Sequence, residues 1–196
     1  MQKRGRSSSD TSVRIIAGRL RGRRLVFDSG GIRPTGDRVR ETLFNWLGPR
    51  LADTACLDLF AGSGALGIEA LSRGAARVVF VERQPEAARR IEENLQALDC
   101  SGGRVLCGDA NTTDLRSLGP FDVVFLDPPF DNPGLADLCK LLEASGGMSA
   151  DALIYLEVAA KTGLPELPPN WQVLREKTAG QVRFALAQRR DEGRQE

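Results

Sequence analysis

Four consecutive residues, Asp127-Pro128-Pro129-Phe130, carry the clearest chemical instruction in this chain. They follow FDVVFL, the most apolar run in the sequence, which reads as a buried strand. Two successive prolines have no N–H to donate and fix φ, so the backbone is rigid there and presents carbonyls only. The Asp127 carboxylate and the Pro128 carbonyl then form a pair of acceptors, whose natural client is an NH₂ group with two hydrogens to give. Phe130 adds an apolar plane on which an aromatic base can stack. A plain proline-rich turn is the alternative. The catalytic reading is that these four residues hold the exocyclic amine of a nucleobase and turn its lone pair toward an electrophile.

A second constellation lies upstream. LFAGSGALGIE, residues 59–69, sets Gly62, Gly64 and Gly67 in the G-x-G-x-x-G spacing of a dinucleotide-binding turn. Asp58, four residues before Gly62, argues against a pyrophosphate, because its charge repels that anion. It suits a ligand with a cationic amino-acid end, and S-adenosylmethionine offers both an ammonium and a sulfonium. Glu82, twenty residues after Gly62, ends the next apolar run and can accept both ribose hydroxyls. Asp109, in GDA, can accept from the adenine amino group. The expected donor is thus S-adenosylmethionine, leaving S-adenosylhomocysteine, and no metal is expected.

These residues need a scaffold that brings them together. The runs ACLD, VVFVE, RVLCGD, FDVVFLD and ALIYLE alternate with helix-like stretches, as βαβ units of a mostly parallel sheet do. Each run ends in an acid: Asp58, Glu82, Asp109, Asp127 and Glu157. In a parallel sheet such ends share one rim, where open α/β folds bind ligands. In QPEAARRIEENLQAL, Ala88, Ile91, Leu95 and Leu98 fall at helical spacing. GDRVRETLFNWL places Val39, Leu43, Phe44 and Leu47 on one helical face, ended by Gly48-Pro49. WQVLREKTAGQVRFALAQR leaves no room for a crossover helix, so its two strands must be antiparallel.

Composition narrows the chemistry further. Histidine is absent, which removes Ser-His-Asp and Cys-His catalysis and His-based metal sites. The four cysteines form no C-x-x-C pair and read as isolated reduced thiols. Residues 1–50 hold twelve Lys/Arg against four Asp/Glu, and the remainder fifteen against twenty-two, within a net charge of +1. A basic arm on an acidic body points to a polyanion met by one end of the molecule. Arg14, Arg19, Arg21, Arg23 and Arg24 crowd a hairpin-like stretch, VRIIAGRLRGRRLVF, and are the candidate phosphate contacts. No run of about 18 apolar residues could span a membrane. The basic, polar MQKRGRSSSDTS lacks the apolar stretch of a secretory leader, so a cytoplasmic protein is expected.

VRIIAGRLRGRRL, RPTGDRVRETLFNWL, LDLFAGSGALGIEALSRGA, DPPF and LPPNWQVLREKTAGQVRFAL together resemble the bacterial 16S ribosomal RNA guanine-N2 methyltransferases of the RsmD type, over roughly residues 13–190. The resemblance implies an α/β, Rossmann-like class I methyltransferase. Its seven-stranded, mostly parallel sheet would end in an antiparallel hairpin, with a small N-terminal β-hairpin extension. It implies methylation of one guanine N2 in 16S rRNA, within a 30S assembly intermediate holding ribosomal proteins. Carried over, Asp58, Gly62, Gly64, Glu82 and Asp109 would hold the cofactor, with Phe60, Arg83 and Ala110 beside them. Asp127, Pro128, Pro129 and Phe130 would hold the guanine, and Arg33, Thr35 and Arg38 would close over the cofactor and rRNA side. Some relatives have basic residues after DPPF, where this chain has Asp131-Asn132-Pro133, so the arginine hairpin would supply more of the RNA contact. The division expected is a disordered basic tail at 1–12, the RNA-binding hairpin at 13–34, the methyltransferase domain at 35–190 and a flexible tail at 191–196, in a monomer. Three rivals stay open: a DNA adenine-N6 or cytosine-N4 methyltransferase, an NAD-dependent oxidoreductase and a non-catalytic rRNA-binding assembly factor. The first has no spare length here for a target-recognition domain, and Asp58 opposes the second.

Overall fold

The computed structural model describes residues 10–28, 36–129 and 134–190. β1 (Asp10–Arg14) and β2 (Arg24–Asp28) pair antiparallel as a separate two-stranded sheet. The main body follows: α1 (Asp37–Leu47), a 3₁₀ turn (Gly48–Leu51), β3 (Ala55–Asp58), α2 (Ala65–Ser72), β4 (Arg77–Glu82) and α3 (Pro85–Ala97). Then come β5 (Gly103–Cys107), α4 (Leu115–Leu118), β6 (Phe121–Leu126), α5 (Leu135–Ala144), β7 (Met148–Ala159), β8 (Trp171–Ala179) and β9 (Val182–Arg189).

Seven strands make one sheet in the order β5-β4-β3-β6-β7-β9-β8. The first five in that order run parallel, whereas β9 is antiparallel to β7 and β8 is antiparallel to β9. The terminal hairpin is therefore present, with β9 inserted between β7 and the edge strand β8. The chain winds outward from β3 through β4 to β5, then returns to lay β6 on the other side of β3. The β3–β6 junction is thus the point where strand order reverses, and the carboxyl ends of these two strands are where open α/β folds form their ligand crevice.

α1, α2, α3 and the N-terminal hairpin cover one face of the sheet, and α4 and α5 the other. On the first face α1 sets Phe44 against Phe125 (ring centroids 6.1 Å apart) and stacks Trp46 on Phe184 at 5.2 Å. Val39, Leu43, Phe44 and Leu47 are buried along α1 as the spacing predicts, but Arg40 is buried with them. Gly48 ends the helix at φ 52°, a left-handed conformation that favours glycine.

The hairpin departs from the expected boundary. β1 begins at Asp10, so residues 10–12 are strand rather than part of a disordered tail, and residues 15–23 form a long connection. That connection is docked on the end of α2. The Arg19 N–H donates to the Ser72 carbonyl (2.8 Å), the Leu20 N–H to Ser72 Oγ (3.0 Å), and Ser72 Oγ donates to the Ala17 carbonyl (2.5 Å). Gly18, at φ +82°, lies so close that a Cβ would fall 1.9 Å from the Ser72 oxygen. No helix among the described residues is long and apolar enough to cross a membrane.

Candidate active site

The glycine turn joins β3 to α2 at the reversal point. Gly62 and Gly64 have φ of 51° and 74°, which a side-chain-bearing residue adopts only under strain. Gly67 serves packing instead. A Cβ there would meet Phe80 Cε1 at 2.2 Å, so its absence lets α2 lie tightly on β4. Phe60 is half-buried and packs on the core of the opposite face.

Side chains alternate along a strand, so residues two apart share a face. Cys56, Phe80, Phe125 and Tyr155 all belong to the core under α1 and α2. Two residues further along each strand direction stand Asp58, Glu82, Asp127 and Glu157, which brings four carboxylates to one rim on one face. Asp58 is level with Phe80 on one side and Phe125 on the other, hence one pleat below Glu82 and Asp127 and between them. Of the five acids expected at strand ends, Asp58 and Glu82 are terminal, and Asp127 and Asp109 lie one and two residues beyond. Glu157 is two residues inside β7.

The carboxylates also hold the turn in shape. Glu82 Oε2 accepts from the Gly62 N–H (2.8 Å) and its Oε1 from the Gln84 N–H (2.8 Å). Asp58 Oδ2 accepts from the Gly67 N–H at 3.0 Å. Asp58 is only 2% exposed, and burial pushes its carboxyl from an ordinary 3.8 up to about 7. The Gly67 hydrogen bond opposes that rise, while the charges of Asp127 and Glu82 add to it. A buried acid ringed by acids stabilises a cation placed among them, so the residues fit the sulfonium and ammonium of S-adenosylmethionine. They do not fit a pyrophosphate.

Asp109 lies half-buried past β5. Its Oδ1 accepts from the backbone and side-chain amides of Asn111 (2.8 and 3.0 Å), which holds its carboxyl below the usual range. Exposed Arg83 is near enough to add to that lowering, and Ala110 is buried beside it. Asp127 is half-buried, Pro128 buried and Pro129 exposed. Phe130, Arg33 and Thr35 lie outside the described residues, as does the Asp131–Pro133 loop. Arg38 is exposed near the start of α1.

Motif spacing does not reveal two further groups. Tyr155 donates its hydroxyl to Glu157 Oε2 at 2.8 Å. Both residues are buried, and Asp127 is close enough for its charge to raise the Tyr155 hydroxyl further, after burial and Glu157. The other group lies under the hairpin, where Glu69 accepts from the Ile16 and Ala17 N–H groups (2.7 and 3.0 Å) and from Arg73 Nε (2.7 Å). It also faces Arg40 Nη1 at 3.5 Å. Arg40 in turn donates to the Arg14 carbonyl (2.8 Å) and Asp37 (2.7 Å).

The five hairpin arginines do not act alike. Arg19 donates to the Asp99 carbonyl (3.3 Å) and Arg23 to the Ala97 carbonyl (3.4 Å), so both tie the hairpin to the C-terminal end of α3. Arg24 donates to Ser12 Oγ at 2.8 Å. Arg14 and Arg21 instead line a groove of about 430 Å³ between the hairpin and α1. Burial pushes the Cys56 and Cys139 thiols up to about 12, so neither is a ready nucleophile.

A doubly wound sheet closed by an antiparallel hairpin, with an acid-backed glycine turn facing an Asp-Pro-Pro motif across the reversal point, defines a class I methyltransferase. Residues 13–188 match the model of the family described as Conserved hypothetical protein 95, and the chain belongs to that family. It is similar to Ribosomal RNA small subunit methyltransferase D of Escherichia coli K12, at 46% identity over 192 residues that cover 97% of each chain. The protein of that name from Haemophilus influenzae is 45% identical over 193 residues, covering 96% of this chain and 100% of the relative. A solved structure of a putative methyltransferase from Escherichia coli superposes with a TM-score of 0.85 at 46% identity, covering 92% of this chain and 99% of that one.

Proposed function

We propose that this protein transfers the methyl group of S-adenosylmethionine to the exocyclic N2 of a guanine in 16S ribosomal RNA, with a 30S assembly intermediate as its substrate and a monomer as the active species. The observation that carries the proposal is the acidic cluster of Asp58, Glu82 and Asp127 around the glycine turn, with Pro128 beside it. The names of the Escherichia coli and Haemophilus influenzae relatives support a small-subunit rRNA substrate.

The cofactor supplies an electrophilic methyl group. Asp58 and Glu82 hold its amino-acid and ribose ends, and Asp109 its adenine, with Phe60, Arg83 and Ala110 lining the site. Asp127 and the Pro128 carbonyl each accept one N–H of the guanine amine, which favours a pyramidal nitrogen whose lone pair faces the methyl group. Asp127 stabilises the positive charge that develops on nitrogen, and the proton departs to it or to water. Positioning and electrostatics carry the rate, with no histidine required. The base must leave its stack to enter the crevice, so an unpaired loop guanine is the cheaper target.

The test supplies labelled S-adenosylmethionine with unmodified 16S rRNA, free and in 30S particles, and maps the product. One guanine carrying label on N2 is expected. Label on another base, or on protein alone, overturns the proposal.

A further inference from the structure

The REKTAGQV stretch plays no part in the crevice, yet its structure is unusual. β8 is the edge strand, and every residue from Gln172 to Thr178 is exposed on both faces. Its base is clamped: Glu143 on α5 accepts from Trp171 Nε1 (2.8 Å), Asn170 Nδ2 (2.9 Å) and Arg189 Nη2 (2.8 Å). The strand then runs paired along β9 to the turn at Gly180, whose φ is 60°, with Ala179 and Val182 packed against the core beside that turn.

Register fixes where the far end lies. Leu126 pairs with Leu156, so one residue further Asp127 comes level with Glu157. Glu157 pairs with Phe184, and Phe184 with Lys177. Lys177 is thus three strands from Asp127 at the same height, about 15 Å away at a strand spacing of about 4.8 Å. Cross-strand partners share a face. Arg175 pairs with Leu186 and Lys177 with Phe184, which places both cations on the face that carries the four carboxylates. The strand's one acid, Glu176, points to the opposite face and is paired with Arg183 at 3.2 Å. Arg175 and Lys177 make no ion pair among the described residues. The N-terminal hairpin sits on α3 at the other end of the sheet, through Asn94 and Val26 (2.8 Å).

We propose that Arg175 and Lys177, presented by the rigid β8–β9 hairpin, form a second phosphate-binding surface for the RNA substrate, on the far side of Asp127 from the arginine hairpin. The inference rests on the rRNA reading above. A nucleic acid lying across the crevice reaches both basic elements, so its backbone is held on both sides of the extruded base. Phosphate contacts of this kind set register and orientation rather than sequence.

The test measures binding of free 16S rRNA by the full chain as a function of salt, with Arg175→Glu/Lys177→Glu against the unaltered protein. Both side chains are exposed, so folding is spared, and unchanged S-adenosylmethionine affinity verifies it. Lys140→Glu/Arg190→Glu, both at exposed positions away from the rim, changes net charge by the same amount and is the control. The expected result is an rRNA affinity at least about tenfold weaker and a salt slope reduced by about 1.4, for two phosphates at about 0.7 each on a single strand. Turnover at saturating rRNA stays within about twofold. Equal affinity and slope for variant and unaltered protein overturn the inference, as does an effect seen on 30S particles but not on free rRNA, which assigns the surface to a ribosomal protein. New self-association with unchanged rRNA affinity also overturns it, since the charges would then only guard an edge strand. If the unaltered protein methylates no rRNA, the functional proposal itself fails, and this inference with it.

Discussion

Glu69 and Asp58 belong to the same β3–α2 unit, and both are buried carboxylates, at 0% and 2% exposure. Their surroundings are opposite. Glu69 receives two backbone N–H groups and faces two arginines, so its charge is fully matched inside the protein. Among the described residues Asp58 is hydrogen-bonded to a single N–H, and burial, with further carboxylates around it, pushes its carboxyl up to about 7. One acid is a structural keystone between the hairpin, α1 and α2. The other is left electrostatically incomplete at the crevice. Unpaired buried charge is costly, so its retention at the strand-order reversal supports the cofactor site proposed above.

Removing each acid breaks the contrast in a different observable. Glu69→Ala strands Arg40 in the interior and frees the hairpin connection, so denaturant unfolding should show a loss of about 3–5 kcal/mol. A loss below about 1 kcal/mol would make Glu69 an ordinary helix residue. Asp127→Ala should lower methylation turnover by about a hundredfold or more, in the range of a lost electrostatic stabiliser, with cofactor affinity retained. Cofactor affinity lost in that variant would move Asp127 from the guanine to the cofactor. The pH dependence sharpens the contrast further. A carboxyl raised from 3.8 to about 7 makes the ligand-free fold less stable as pH rises through that interval, and the effect is complete above it. Thermal unfolding from pH 5 to 8 should show that decline, and Asp58→Asn should flatten it. The smallest effect is expected at the hairpin: Arg14→Ala/Arg21→Ala should reduce the rRNA salt slope by about 1.4 without changing stability. A larger loss on neutralising Arg19 and Arg23 would instead reflect undocking from α3.

The sequence makes the contrast only half visible. Asp58, Gly62, Gly64, Glu82, Asp109 and Asp127 are legible because each belongs to a short motif at a strand end, and alternating apolar runs state the sheet. Glu69 sits in LGIEALS, where helical periodicity suggests nothing more than core. Arg40 interrupts the buried face of α1, and its partners at Arg14, Asp37 and Glu69 lie as far as 29 residues away in the chain. The Tyr155–Glu157 bond is hidden inside an apolar run for a related reason, since a strand pattern gives the face but not the partner. The insertion of β9 between β7 and β8 is a tertiary choice that no local spacing encodes. The start of β1 at Asp10 is obscured by a polar, serine-rich stretch that looks like a tail.

The central claim is that the acidic rim is built for a cation, and calorimetric titration tests it most directly. S-adenosylmethionine and NAD are each titrated into the protein near pH 7, in buffers of different ionisation enthalpy. The account predicts saturable binding of S-adenosylmethionine with net proton release, as Asp58 ionises around the bound cation, and no binding of NAD. In Asp58→Asn the proton release should vanish. Binding of NAD with none of S-adenosylmethionine would contradict the account outright.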